Sequence, residues 1–321
     1  MKLPELKIGN LVAKIPIIQG GMAVRISTSR LAAAVAENGG IGMIAGSGMP
    51  FDELRNEIRL ARSLTKGIIG VNVMVAAREF KALVKTAIEE GIDLVVAGAG
   101  FSRDVFAIGK ESNTPIVTMA SSIKAAKLSE KLGASAVVIE GKEAGGHLGT
   151  TNHSIKDLIA DIKNAVHIPV IGAGGIITGH DIAETLMVGA DGVQMGTRFA
   201  MSRESNASSS LKDFYLKAKK DDVVLINSPV GLPGRALKNP FVEEINEGII
   251  PSEVCKSCLK HCSHSFCIIS ALSRAQQGDV DTGLVFTGEY IYKIKEILSV
   301  KEIFNKLLKE IESINTLSVC M

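Results

Sequence analysis

Short apolar runs recur along the first two thirds of the chain and are rich in β-branched residues. Most of them are continuously apolar rather than alternating, as expected for strands of a parallel sheet that is buried on both faces. The pattern predicts eight such strands, at Ile15–Gln19, Ile41–Ala45, Ile68–Val75, Leu94–Ala97, Pro115–Met119, Ala136–Ile139, Ile168–Ile171 and Gly192–Met195.

Helical patterns lie between the predicted strands. Several end at a glycine just before the next strand, which is the usual position of a helix C-cap. Some of these elements are also compatible with an open doubly wound sheet, but a steady repeat that reaches an eighth strand favours a closed (β/α)8 TIM barrel. The predicted helices are Ser29–Glu37, Phe51–Ser63, Glu79–Glu89, Ile123–Lys131, Ile155–Asn164 and Asp181–Val188.

The repeat stops after the eighth predicted strand. Residues 202–290 are polar and rich in turn residues, whereas Val300–Ile314 regains the apolar stripe of a helix that packs on a core. We interpret this last helix as the eighth barrel helix. The predicted organisation is therefore a barrel domain of residues 1–204 plus 291–321, and a small, mainly helical insertion of residues 205–290 that covers the barrel mouth as a lid.

Composition narrows the class of protein. The 321 residues are 46% hydrophobic with a net charge of +2, and the scattered Lys and Arg form no basic stripe of the kind that binds nucleic acid. The N-terminus lacks the apolar core of a signal peptide, and runs such as Ile68–Ala77 are too short to span a bilayer. We expect a cytoplasmic protein with no nucleic-acid or membrane partner. The sequence is compatible with a homodimer.

One histidine stands in a glycine-rich loop directly after the sixth predicted strand. The sequence Ala136–Gly149 runs from an apolar strand through Glu140 into a loop with paired glycines and His147. Loops at the carboxyl ends of barrel strands carry the chemistry of such enzymes, and glycines let the backbone approach a flat ligand. His147 is therefore the candidate catalytic residue; the alternative is a loop histidine that caps a neighbouring helix.

Glycines also follow the seventh and eighth predicted strands, in Gly172–Ile176 and Met195–Phe199. These two loops form the recurrent phosphate site of TIM barrels, where backbone amides hold the phosphate if no Cβ intervenes. Plain tight turns are the alternative. A polar residue in an apolar strand, Asn72, needs hydrogen-bond partners, which either a flavin ring edge or neighbouring main chain would supply.

Five motifs, in chain order QGGMA, GVNVM, EAGGHLG, GAGGI and GVQMGTRF, resemble the FMN-dependent nitronate monooxygenase family, which includes the flavin enoyl-acyl-carrier-protein reductase II. The resemblance is strong over residues 1–204 and looser beyond. It implies bound FMN and a histidine, His147, that acts as catalytic base or electrostatic partner of the substrate. The FMN-binding positions it implies are Gly21, Met22, Ala23 and Asn72 near the ring, Ala144 and Gly145 along the cofactor, and Gly174, Gly175, Gly196 and Thr197 at the phosphate.

The chain departs from the family pattern at two positions. Leu148 follows the histidine where nitronate oxidisers often carry arginine or proline, and it is nearer the aliphatic residue of the reductases. Glu289 stands where many relatives have a glutamine. A carboxylate in place of an amide changes the polarity of the pocket rim, so these positions bear on the identity of the substrate.

Four cysteines cluster in the insertion, at Cys255, Cys258, Cys262 and Cys267, with a fifth at Cys320. Four thiolates could hold zinc or an iron–sulfur cluster, but the spacing matches no zinc ribbon. A redox or disulfide role is a further alternative. We favour packing of the thiols as small apolar groups in the lid and expect no metal.

Three functions remain compatible with the sequence. The favoured one is an FMN-dependent oxidoreductase that oxidises alkyl nitronates with O2. The alternative enzyme reduces enoyl thioesters on the flavin with NAD(P)H as reductant. A non-enzymatic alternative is a flavin-binding regulatory or assembly protein, which would have no need for a histidine beside the flavin.

Overall fold

The fold is a parallel barrel whose eight strands all lie within two residues of their predicted bounds. The structure is a computed structural model. It describes residues 3–149, 151–249 and 254–318, and side chains as far as residue 314. The barrel strands are Ile17–Gln19, Gly42–Ala45, Ile69–Met74, Leu94–Gly98, Ile116–Ala120, Ala136–Glu140, Val170–Ala173 and Gly192–Met195.

The sheet closes on itself. Each strand pairs in parallel with its sequence neighbour from the second to the eighth, and the eighth pairs with the first. The remaining gap is bridged between Ile18 and Ile41, where the Gln19 N–H donates to the Ile41 carbonyl at 2.9 Å. The predicted (β/α)8 TIM barrel is therefore confirmed, and the open doubly wound sheet is wrong.

The amino-terminal end of the barrel is sealed by a hairpin that the sequence pattern did not predict. Strands Leu6–Ile8 and Leu11–Ala13 pair antiparallel. The fully buried Leu6 and Ile8 pack with inward-facing barrel residues such as Met43. Because this end is filled with apolar side chains, the space for a ligand lies at the carboxyl end of the strands.

Seven helices of the described chain lie between successive barrel strands. The six predicted helices are present within two residues of their predicted ends, and Asp104–Ser112 was missed. This helix contains Gly109, a poor helix former, but a Cβ at that position would lie 2.3 Å from the Ile116 side chain. Gly109 thus lets the helix pack closely on the fifth strand. The seven are Ser29–Glu37, Phe51–Leu64, Phe80–Glu89, Asp104–Ser112, Ile123–Leu132, Ile155–Lys163 and Gly179–Met187.

The segment after the eighth strand contains strands as well as helices. A hairpin of Val223–Asn227 and Pro233–Leu237 was not predicted, and its second strand pairs antiparallel with Gly146–His147. The loop that carries the histidine is thus part of a three-stranded sheet with the insertion. The helices here are Thr197–Ala200, Ser209–Lys217, Pro240–Asn246 and Ile268–Gln277, with 3-10 turns at Lys220–Asp222 and Ile291–Lys293.

The final helix, Val300–Ser318, returns to the barrel. Its buried residues Phe304 and Leu307 belong to the same core as the first and seventh barrel helices. The predicted apolar stripe does face the barrel, as expected for an eighth barrel helix. Among the described residues, no helix is long and apolar enough to cross a membrane.

Replacing Phe304 with alanine tests the packing of the final helix against the barrel. Phe304 is 1% exposed and its ring lies 5.9 Å from that of Phe199. Removing a buried aromatic ring leaves a cavity, so we expect the free energy of unfolding to fall by about 3 to 5 kcal/mol in chemical denaturation. The exposed neighbour Asn305, replaced by alanine, serves as the control and should change stability little. Equal effects of the two substitutions would contradict the packing of this helix.

Candidate active site

A cavity of about 480 Å³ opens at the carboxyl end of the barrel. Loops after most of the strands border it, and residues from the insertion close its other side. The structure brings all eleven candidate site residues to this one cavity: Gly21, Met22, Ala23, Asn72, Ala144, Gly145, His147, Gly174, Gly175, Gly196 and Thr197.

A buried polar pair shapes the first loop of the cavity. Gln19 is fully buried, and its Nε2 donates to the Ser27 hydroxyl at 2.8 Å while its Oε1 accepts the Met43 N–H at 2.9 Å. The Ser27 hydroxyl accepts the Met22 N–H at 3.0 Å. The segment with Gly21 and Met22 is therefore held against the barrel rim. Gln19 and Ser27 were not predicted as site residues.

Gly21 and Asn72 lie in direct contact. A Cβ on Gly21 would be 2.2 Å from the Asn72 Cβ, so only glycine fits there. The amide of Asn72 donates to the Val96 carbonyl at 3.5 Å, which is long for a hydrogen bond. The main chain therefore satisfies this amide weakly, and the cavity-facing Asn72 has hydrogen-bonding capacity left for a ligand.

The loops after the seventh and eighth strands offer bare backbone to the cavity. Gly174 and Gly175 have φ of +114° and +71°, which side chains rarely adopt. A Cβ on Gly196 would meet a single atom within 4 Å, the Met22 sulfur at 3.8 Å, so this position borders open space. The Thr197 hydroxyl accepts the Gly288 N–H at 2.9 Å. Glycine loops of this kind are typical of phosphate sites in TIM barrels.

His147 is held by the insertion. Its Cα is in register with Gly234 of the insertion hairpin, and its Nε2 lies 2.8 Å from the Ser228 hydroxyl. The Phe286 ring meets the imidazole edge-on at 5.1 Å between ring centres. Burial lowers the pKa of His147 to about 4, so the imidazole is neutral at physiological pH. The helix-capping alternative for this histidine is not what the structure shows.

Two carboxyl groups of the same loop were missed by the sequence reasoning. Burial raises the pKa of Glu140 to about 8, although its carboxylate accepts a main-chain hydrogen bond from Gly149. Burial also raises the pKa of Glu143, whose Oε2 has no hydrogen-bond partner among the described residues. Both line the cavity. Their position at the end of the sixth strand was a signal that could have identified them.

An arginine from the insertion braces this loop. Arg235 is 9% exposed, and its Nη1 donates to the carbonyls of Lys142 and Ala144, the latter at 2.7 Å. Its Nη2 lies 3.5 Å from the carboxylate of Glu289. The glutamate that departs from the family pattern therefore balances a buried cation beside the cavity.

The four cysteines of the insertion are free thiols. Cys255 is exposed, and Cys258 and Cys262 pack beside an apolar cluster of the insertion. Burial raises the pKa of Cys258, which favours the neutral thiol. In the part of the chain that the structure describes, no group of three or more His, Cys, Asp or Glu side chains is arranged to hold a metal. Cys320 lies outside the described residues.

A family model and a curated relative match most of this chain. The family model for nitronate monooxygenase matches residues 5–310. A probable nitronate monooxygenase of Staphylococcus aureus (strain MSSA476) is 32% identical over 282 residues, covering 74% of this chain and 79% of the relative.

Two solved structures are similar to this chain in sequence and fold. FabK from Thermotoga maritima is 34% identical, with a TM-score of 0.84 and 96% of both chains covered. A nitroalkane oxidase from Streptomyces ansochromogenes is 26% identical, with a TM-score of 0.82, covering 95% of this chain and 98% of the other.

The environment of His147 predicts a pH dependence of stability. Its pKa of about 4 in the folded chain lies below the ordinary 6.5, so the unfolded chain takes up this proton first as the pH falls. The contribution of His147 to the free energy of unfolding is therefore complete above pH 6.5 and decreases towards pH 4. Denaturation across this range should show a steeper loss for the wild type than for His147→Gln. Parallel curves would contradict the burial of the imidazole.

Proposed function

The chain belongs to the nitronate monooxygenase family, and from this premise we propose that it oxidises alkyl nitronates with O2 on a bound FMN. The family assignment makes the chain an oxidoreductase, which removes the support for a non-enzymatic flavin-binding role. The observation that carries the proposal is the position of a neutral His147 on the same cavity as the bare glycine loops. FMN would supply the electron transfer, from substrate to O2.

The residues around the cavity fit FMN. Gly174, Gly175 and Gly196 line the cavity, and their backbone N–H groups would hold the phosphate, with Thr197 adding a hydroxyl. Gly196 borders open space, whereas a Cβ on Gly175 would lie 2.9 Å from the Tyr290 ring, so that position needs glycine. The amide of Asn72, weakly tied to the main chain, suits the polar edge of the flavin ring. Gly21, Met22 and Ala23 would follow the ring, and Ala144 and Gly145 would line the cofactor. The chain lacks a second glycine-rich strand–helix unit that would hold an adenylate, which favours FMN over FAD.

His147 would bind the substrate. An alkyl nitronate is already a deprotonated anion, so a neutral imidazole would donate a hydrogen bond to one of its oxygens rather than act as a base. Ser228 holds Nε2, and among the described residues it is the only side chain hydrogen-bonded to this ring. Nδ1 would therefore be available to a substrate, and Ser228 would act as the positioning residue. Apolar side chains such as Met74, Met119 and Leu272 border the remaining space and suit an alkyl group.

The second candidate is reduction of enoyl thioesters with NAD(P)H. It is favoured by Leu148, an aliphatic residue that is 7% exposed and lines the cavity directly beside His147. His147 would then donate a proton or hydrogen bond to the reduced substrate. In either case we propose a cytoplasmic enzyme that acts on a small molecule.

A larger side chain at Gly196 tests whether the phosphate of FMN binds at this loop. In Gly196→Val, new methyl groups enter space that only the Met22 sulfur borders within 4 Å of the added Cβ. We expect the affinity for FMN, titrated by flavin fluorescence, to fall by about 100-fold, the equivalent of losing two or three hydrogen bonds. The melting temperature of the cofactor-free protein should be unchanged, which serves as the control. Unaltered FMN affinity would show that the phosphate lies elsewhere.

Anaerobic stopped-flow spectroscopy tests the reaction itself. Mixing the FMN-loaded enzyme with an alkyl nitronate should bleach the flavin, and His147→Ala should slow this step by roughly 10²- to 10⁴-fold. Ser228→Ala should slow it by about 10-fold, with recovery in Ser228→Thr, because one positioning hydrogen bond is lost. The exposed His153→Ala is the control. Rapid bleaching by NADH and none by nitronate would favour the reductase instead.

A further inference from the structure

A second cavity, of about 180 Å³, lies against the last helix. It is bordered by the loops after the seventh and eighth barrel strands and by residues that precede the last helix. Ile177 lines both cavities, so the loop after the seventh strand separates them. Arg198, which also lines the small cavity, directly follows Thr197 of the phosphate loop. The function proposed above uses neither this space nor Arg198.

The charge of Arg198 is incompletely compensated. The residue is 6% exposed, and its Nη2 donates to the main-chain carbonyls of Met201 at 3.1 Å and Glu296 at 2.8 Å. Its Nε is buried with no hydrogen-bond partner among the described residues. No carboxylate of the described chain forms an ion pair with the guanidinium. The carboxylate of Glu296 attracts Arg198 at longer range without forming an ion pair with it. A buried cation that lacks a directly bonded counter-ion is unfavourable, so an anion placed beside it would be stabilised.

The rim of the cavity carries a net positive charge, as Arg198 does. Lys293, Lys295 and Lys306 border it together with Arg198, against two acidic residues, Glu296 and Glu310, which leaves a formal charge of +2. Both acids are engaged with other groups. Glu310 accepts the Gly179 N–H at 2.6 Å, and Glu296 pairs with Lys306 at 2.6 Å, so these two charges offset each other. Arg198, Lys293 and Lys295 outnumber the remaining carboxylate, and the net positive charge attracts an anion.

Apart from Thr178, the rest of the lining is apolar, and it determines the shape of the ligand. Its volume is below the range typical of sites for drug-sized molecules. The ligand must therefore be small, with an apolar body and one anionic group. The apolar lining residues are Ile177, Ile294, Leu298, Ile303 and Leu307.

We propose that this cavity binds a small organic carboxylate, with its head group towards Arg198 and its hydrocarbon body against the last helix. The ligand would contact the backs of the two loops that border the large cavity. This site is independent of the reaction proposed above, because it needs neither the flavin nor His147.

Isothermal titration calorimetry with pentanoate tests the proposal. The FMN-loaded protein is used so that the large cavity holds its cofactor, and pentan-1-ol serves as the uncharged probe of equal length. We expect saturable binding of pentanoate with a Kd on the order of 1 mM and none of the alcohol. K306Q should raise the Kd by about threefold, because one partly exposed cation is removed. E296Q should lower the Kd by about threefold, because a competing carboxylate is lost while its main-chain carbonyl still holds Arg198.

K309Q provides the matched control. Lys309 is an exposed lysine on the same helix but does not line the cavity, so this substitution should leave the Kd unchanged. Binding of pentan-1-ol equal to that of pentanoate would overturn the proposal. Pentanoate binding that K306Q and E296Q leave unaltered would place the ligand in another site and would overturn it as well.

Discussion

The antiparallel pairing between Gly146–His147 and the insertion hairpin is the interaction on which the active site depends. It joins a loop of the barrel to a segment that lies more than 80 residues later in the chain, and it places Ser228 2.8 Å from the imidazole. Arg235 of the same hairpin donates to the carbonyl of Ala144, so the loop is fixed at two points. The insertion therefore helps to shape the candidate site and is more than a cover over the barrel mouth.

Burial then determines the chemistry available in the cavity. Glu140 and His147 are both shifted towards their neutral forms, the carboxyl group upwards in pKa and the imidazole downwards. A site with few fixed charges of its own strengthens the interactions of any charged group that enters it. The glycine loops after the seventh and eighth strands line the same cavity and carry backbone N–H donors. The proposed oxidation would use these glycine loops for the phosphate of FMN and the neutral His147 for the anionic substrate.

Much of the barrel could be predicted from the sequence, because buried parallel strands are continuous apolar runs and their helices end at glycines. The helix Asp104–Ser112 was missed because Gly109 weakens its helical pattern, and the reason for that glycine is a contact with Ile116 in another element. The hairpin Val223–Asn227 with Pro233–Leu237 was missed because its partner strand is the histidine loop, far away in sequence. The candidate ligand residues were found through their motifs. Gln19 stands in the QGGMA motif, but its hydrogen bonds to Ser27 and Met43 could not be read from the motif. The roles of Ser228 and Arg235 arise from contacts with residues more than 80 positions away.

The central claim is that FMN lies between the glycine loops and His147. A crystal structure of the protein purified with its cofactor tests this most directly. The account predicts electron density for FMN with its phosphate on the backbone of Gly174, Gly175 and Gly196, and its ring between Asn72 and the imidazole. A phosphate bound away from these glycines, or a ring out of contact with the space beside His147, would contradict it.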